Sequence, residues 1–254
     1  MMRRLLKVLT PAIFAWCVFS TAVPVFAAIA LVQSTATTAA GFNSTTIAYS
    51  SNVTAGDLVG TCGALWNGNS LTSIAMSDSV GTSYTVILGT IVTGGVPIKT
   101  YIAYGIAAGS GANTVTIDPN GTGWYGSHAV FEFSGVDSSP LDIDGGTSSG
   151  TSTSPADAFT TTDANTVGVG VVTHGNSGTI TITEDSGGGW GLLGEVENYS
   201  NAPVSCTYQI YASAGAKSAG WTLGSSPAWA AQTAAFKQAA SGANVSQFYR
   251  RRPQ

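Results

Sequence analysis

Thr114-Val115-Thr116-Ile117 and Thr179-Ile180-Thr181-Ile182 each alternate threonines with β-branched apolar residues. A period of two puts the apolar groups on one face and the hydroxyls on the other, the pattern of a strand with one wet side. Short runs of the same character recur at 57–66, 84–93, 98–106, 128–133, 166–173, 192–199, 204–212 and 228–236, separated by Gly, Ser, Asn and Asp. Many short strands joined by tight turns indicate a sandwich, not a parallel sheet covered by helices. The Ala-rich piece 228–240 has helical propensity. The size alternation around Trp229 and Ala231 argues for a strand through Phe236 instead. Residues 28–49 are Thr/Ala-rich and are expected to supply an opening strand or two. The fold class is therefore all-β, an antiparallel sandwich of jelly-roll or concanavalin-like type.

The ends read differently. Met1-Met2-Arg3-Arg4-Leu5-Leu6-Lys7 precedes an apolar stretch, and Val25-Phe26-Ala27 offers small residues at −3 and −1 of a cut after Ala27. Residues 1–27 thus read as an export signal, which predicts an extracellular or cell-surface location. Residues 28–241 are expected as one large domain, with the Gly/Ser/Thr-rich run 145–155 connecting its halves, and 242–254 as a C-terminal tail.

Cutting after Ala27 leaves six basic against thirteen acidic side chains, a net charge of −7. Three of those cations are the consecutive Arg250, Arg251 and Arg252, so the body holds only Lys99, Lys217 and Lys237. Binding a phosphate backbone needs clustered positive charge, and this distribution excludes nucleic acid as a partner. Beyond the signal no apolar run is long enough to span a membrane. Charged residues make up 9 % of the chain, against the roughly 25 % of ordinary domains. Hydroxyls and amides must therefore solvate its exposed faces.

Cys62 and Cys206 remain after processing. In an oxidising compartment a single disulfide is the simplest reading. It would close a loop of about 144 residues, worth roughly 5 kcal/mol on the chain-entropy model. Two buried thiols acting as small hydrophobes are the alternative. Bonding requires the two strands to be neighbours.

Chemistry is thinly supplied. His128 shares a strand face with Val130 and Glu132, and His174 ends a strand; neither belongs to a metal-binding spacing. Glu195 and Glu197 flank Val196 and point to one face, a placement that two glycosidase carboxylates could use, with Glu132 as a third. The plainer reading turns both to solvent while Leu193 and Val196 face inward. Asp78 lies between strand-like pieces and is expected to cap a turn. Asp137, Asp142 and Asp144 form the densest acidic group, and such oxygen-rich segments suit structural calcium, though no EF-hand pattern is present. No other cofactor is implied. Trp124, Tyr125 and Trp190 sit among glycines, where large rings are hard to bury. Exposed, their flat faces would suit sugar rings. Trp66, Trp221 and Trp229 lie within strands and are expected in the core.

The phrases 73–84, 129–136, Gly189-Trp190 and 229–237 resemble a loosely defined group of bacterial and phage extracellular β-sandwich domains, jelly-roll or lectin-like. The likeness covers roughly residues 34–237 and rests on turn and core signatures. It implies a fold and a surface or structural role, and it carries over no catalytic residue. The Cys62/Cys206 pair departs from the small or apolar residues usual there. The leading expectation is a non-catalytic adhesion or carbohydrate-binding module whose partner is a glycan or cell-surface ligand. A self-assembling structural protein and a glycan hydrolase using Glu195 and Glu197 are the alternatives.

Overall fold

The computed structural model describes residues 27–66, 71–92, 97–176, 178–185, 188–197 and 202–240. The expected signal, except for Ala27, and the expected tail lie outside the described residues. Residues Phe26–Ser241 belong to one compact unit.

Eight strands occupy the first part: β1 (Ala30–Phe42), β2 (Thr45–Ala48), β3 (Leu58–Trp66), β4 (Ile74–Asp78), β5 (Thr85–Ile91), β6 (Ile98–Ile106), β7 (Thr114–Pro119) and β8 (Trp124–Ser134). Eight more follow: β9 (Val136–Thr151), β10 (Ala156–Thr161), β11 (Thr166–His174), β12 (Ile182–Glu184), β13 (Gly191–Val196), β14 (Val204–Tyr211), β15 (Gly215–Leu223) and β16 (Ala228–Gln238). Every ladder between these strands is antiparallel.

The first eight make a five-stranded sheet, β1-β8-β3-β6-β5, and a three-stranded sheet, β2-β7-β4. The second eight make β9-β16-β11-β14-β13 and β10-β15-β12. Adding eight to each label of the first set gives the second, so the chain is a structural duplication. The strand lengths echo it: β3 and β11 are both nine residues, β8 and β16 both eleven. The joint between the repeats is the single residue Gly135, at φ 76°. A Cβ there would stand 2.7 Å from the carbonyl oxygens of Ala27 and Ala28.

Most of the Gly/Ser/Thr-rich run is thus strand, and only residues 152–155 connect β9 to β10. Residues 145–151 are the second half of β9, laddered to β16 from Thr147–Gln232 to Thr151–Ala228. Small hydroxyl side chains at a sheet edge look like a linker in sequence because nothing apolar marks them, while the backbone is paired.

Three apolar layers hold the unit together. The central one lies between the two five-stranded sheets, where Leu58, Cys62, Ile102, Phe131 and Phe133 meet Val167, Val169, Val171, Cys206, Ala234 and Phe236. A flanking layer packs Val59, Leu65, Tyr101 and Val130 against Val115 and Ile117 of the first three-stranded sheet. The third packs Val172, Ala231 and Ala235 against Ile182, Ala219, Trp221 and Leu223. The predicted alternation at 114–117 is therefore correct, with Val115 and Ile117 fully buried, and Ile180 and Ile182 are buried likewise. The Ala-rich piece is strand β16, as its size alternation indicates.

β11 shows how one strand serves two layers. Val167, Val169 and Val171 point to the central layer, while Gly168 and Gly170 point outward. A Cβ at Gly170 would stand 3.1 Å from the Trp221 ring, and one at Gly168 3.1 Å from Tyr211. The glycines make room for large rings from the outer side. Gly170→Val would press two methyl groups into Trp221, and overpacking of this kind costs about 1–3 kcal/mol. The expected result is a lower midpoint in urea unfolding with an unchanged slope; an unchanged midpoint would show that Trp221 is not seated on this glycine.

Candidate functional site

The aromatic candidates are positioned unlike the sequence expectation. Trp124 is 4 % exposed and packs in the first flanking layer. Its glycine neighbours do not hold it out: Gly121 and Gly123 take φ 115° and 73°, turning the chain so that the ring folds back over the sheet. Tyr125 is half-buried against Trp66, ring centroids 4.9 Å apart. Trp221 and Trp229 are core, as expected.

Trp190 is also 4 % exposed. Its Nε1 donates to the Ser218 carbonyl at 3.0 Å, and its ring meets Phe159 and Tyr211 edge-on. Yet one side of it, with Gly189, Gly191, Tyr208, Gln209 and Ile210, lines a groove of about 470 Å³ where β13 meets β14. Among the described residues the lining has no charged side chain. Tyr208 is fixed from behind by an edge contact with Phe133, centroids 5.4 Å apart. Gly191 lies opposite Tyr208 in the ladder, and a Cβ there would reach 2.8 Å from the ring. Gly189 stands at φ 87°, where a Cβ would be 2.6 Å from Gln209 Nε2. Gln209 Nε2 donates to the Gly188 carbonyl at 2.5 Å, which fixes the amide. Ile210 is 44 % exposed beside them. An aromatic ring, an oriented amide and an apolar side chain thus converge on one uncharged groove. Trp190 borders this groove although its ring is buried and not exposed as expected, and Tyr208, Gln209 and Ile210 beside it were not among the expected residues. The signal was there in Gly189, which supplies the turn, and in Gly191, which lets the Tyr208 ring approach.

Glu195 and Glu197 do share a face, and Leu193 and Val196 do turn inward. The imperfect alternation is a β-bulge between Leu192 and Gly194. Glu197 accepts the Ile182 amide at 3.1 Å. Burial first, then the Glu197 carboxylate and the charge of Glu184, push Glu195 up from 4.5 to about 7. Neither glutamate lines the groove above. Glu132 is not the third member. It lies in the other repeat, fully buried, accepting from Gln33 Nε2 at 2.6 Å and from the Thr54 amide at 2.8 Å. Its partner is Asp57, raised to about 6 by burial and by the neighbouring Glu132 carboxylate.

The three aspartates are not brought together as a metal site. Asp137 accepts from the Ser139 and Ala240 amides, Asp142 from Thr162, and Asp144 from the Gly146 amide. Among the described residues no group of three or more His, Cys, Asp or Glu is arranged to hold a metal ion. Asp78 caps its turn as expected, accepting from the Val80 and Thr82 amides, Tyr84 Oη and Asn113 Nδ2. Burial alone would raise it, but these donors outweigh burial and lower it.

The histidines stay apart. His128 is buried in the first repeat, its Nδ1 2.7 Å from Tyr101 Oη, and burial lowers it to about 3. His174 lies in the second repeat, lowered to about 4 by burial against the opposing pull of the Ile180 backbone and Glu197. Cys62 and Cys206 are both fully buried free thiols in the central layer.

No family model matches the chain, and no curated protein or solved structure shows significant similarity to it.

The raised Glu195 has a definite consequence. A carboxyl whose folded value exceeds its unfolded value is penalised when it ionises, so its contribution falls as pH rises from about 4.5 to about 7. Glu195→Gln removes that slope. Its denaturation midpoint should rise relative to the parent as pH is raised from 4 to 8. A gap that does not widen would show that Glu195 is not held against Glu197.

Proposed function

We propose that this chain is an exported, non-catalytic adhesion module that binds a neutral glycan in the groove of Trp190, Tyr208, Gln209 and Ile210. The observation that carries the reading is that groove: uncharged, about 470 Å³, with its ring and amide each held by a second contact. Its volume falls within the range of small-ligand sites. Sugar rings present an apolar C–H face and a rim of hydroxyls, which Tyr208 and Gln209 suit respectively. The scarcity of charge on the chain favours a neutral ligand over a polyanion. Each repeat reads as a jelly roll, with β1-β8-β3-β6 facing β2-β7-β4 in the order that two Greek keys produce, and β5 carried on the edge of the larger sheet. Kinship with bacterial and phage surface modules belongs to the same reading. Its phrases fall on β4 with its turn, on β8 and on β16.

A second reading, self-assembly, is favoured by β1. This edge strand runs thirteen residues without a charged side chain, and Val32 on it is 47 % exposed. Proteins usually protect such edges with charge. The hydrolase reading is weaker, because Glu195 and Glu197 sit outside the groove and are engaged with one another.

The test is retention on a panel of immobilised neutral polysaccharides. Gln209→Ala should weaken binding about tenfold, the loss of one or two hydrogen bonds, while lowering stability by no more than about 1 kcal/mol through the lost bond to the Gly188 carbonyl. Tyr208→Ala should abolish it. Absence of binding together with concentration-dependent assembly that Val32→Lys blocks would replace adhesion with self-assembly.

A further inference from the structure

Cys62 lies midway along β3 and Cys206 in β14, so each repeat contributes one thiol. Facing sheets ordinarily stack about 10 Å apart, and a disulfide needs Cα atoms within about 7 Å. Here small residues draw the sheets together. Gly194 of β13 faces Ala36 and Ala129, where a Cβ would stand 2.6 and 2.9 Å from their methyl carbons. Cα atoms of β3 and β14 accordingly come within 8 Å of each other. Cys62 Sγ is 3.9 Å from the Ala129 carbonyl oxygen, and both cysteines are packed in the same buried layer between the sheets.

We propose that Cys62 and Cys206 become a disulfide that ties one repeat to the other, and that the bond must form before the central layer closes. The oxidant is a disulfide-bearing donor, protein or small molecule. One cysteine loses its proton and attacks a donor sulfur, breaking the donor S–S bond and making a mixed disulfide. The other, deprotonated in turn, attacks the protein sulfur of that intermediate and expels the donor's second thiolate. The donor gains two electrons and two protons, and the protein loses them.

Order of events follows from burial. Both sulfurs are fully buried, so no donor reaches them in the closed fold. Burial also holds the Cys206 thiol well above its ordinary value, which starves the closed state of thiolate. Oxidation therefore belongs to the folding chain, and the finished bond is equally sheltered from reductants. This inference stands apart from glycan binding, since its readout is mass.

The test uses the chain from Ala28 onward, whose cysteines are Cys62 and Cys206 alone. Reduced, denatured protein is refolded with oxidised glutathione, then denatured with iodoacetamide and weighed intact. The expected product carries no alkyl group on Cys62 or Cys206 and is lighter by two hydrogens. Reduced protein that is folded first and then given oxidised glutathione should oxidise at least about a hundredfold more slowly, as exchange follows access. The oxidised chain should also unfold at a higher urea concentration than the Cys62→Ala/Cys206→Ala chain. Alkylation or a glutathione adduct at both positions after refolding would overturn the bond. Equal oxidation rates in folded and unfolded protein would overturn the order of events.

Discussion

Everything in this molecule depends on the contact between the two five-stranded sheets. Each of those sheets is buried on both faces, by its own three-stranded sheet on one side and by the other repeat on the other. A strand with no wet face cannot alternate apolar with polar, so β3, β6, β8, β11, β14 and β16 are made of apolar, small or hydroxyl residues along nearly their whole length. The same constraint accounts for the shortage of charge. In a stack of four sheets only the two outer faces, the edges and the turns meet water. Those surfaces are covered with threonine, serine and alanine, as at Thr46, Thr114 and Thr116 on one side and Ala158, Ser218 and Thr222 on the other.

What could be read in advance follows from this layering. Thr114–Ile117 belongs to an outer sheet, where one face is wet, and its period of two was unmistakable. β6 was legible from 98 to 106 because a strand buried on both faces reads as a nearly continuous apolar run, here Tyr101 to Ile106. β9 was not, since an edge strand of Gly, Ser and Thr has the composition of a linker. β10 hid behind Asp157, a carboxylate at a buried position that Ser148 and Thr233 satisfy. β15 buries Ala219, Trp221 and Leu223 at period two, a signal that was present and unread. The duplication was hidden because the repeats share strand order, while most equivalent strands differ in length and sequence.

The site was half legible for a related reason. In sequence, glycine beside tryptophan has the look of a loop that holds the ring in water. At Gly121, Gly123 and Gly189 the glycine instead supplies the turn that lays the ring down. Trp124 is lost from the surface entirely, while Trp190 keeps one side on a groove. The remaining members of that groove come from β14, a different strand, and only the ladder brings Gly191 against Tyr208.

Scarcity of cations shapes the electrostatics as well. Lys99 donates to the Leu71 carbonyl, and Lys217 lies over the Tyr211 ring. Buried carboxylates are left to amides and to one another, which is why Asp57 and Glu195 are both raised. The buried histidines act with the opposite sign. His128 and His174 are kept neutral, so their contribution is intact above about pH 6.5, the unfolded imidazole value, and is lost as pH falls toward 4 and 3. Over much of that interval the carboxyl pairs gain what the imidazoles lose. Among the described residues, acid and base penalties thus oppose one another and share one leading cause, the burial of titratable groups where cations are scarce.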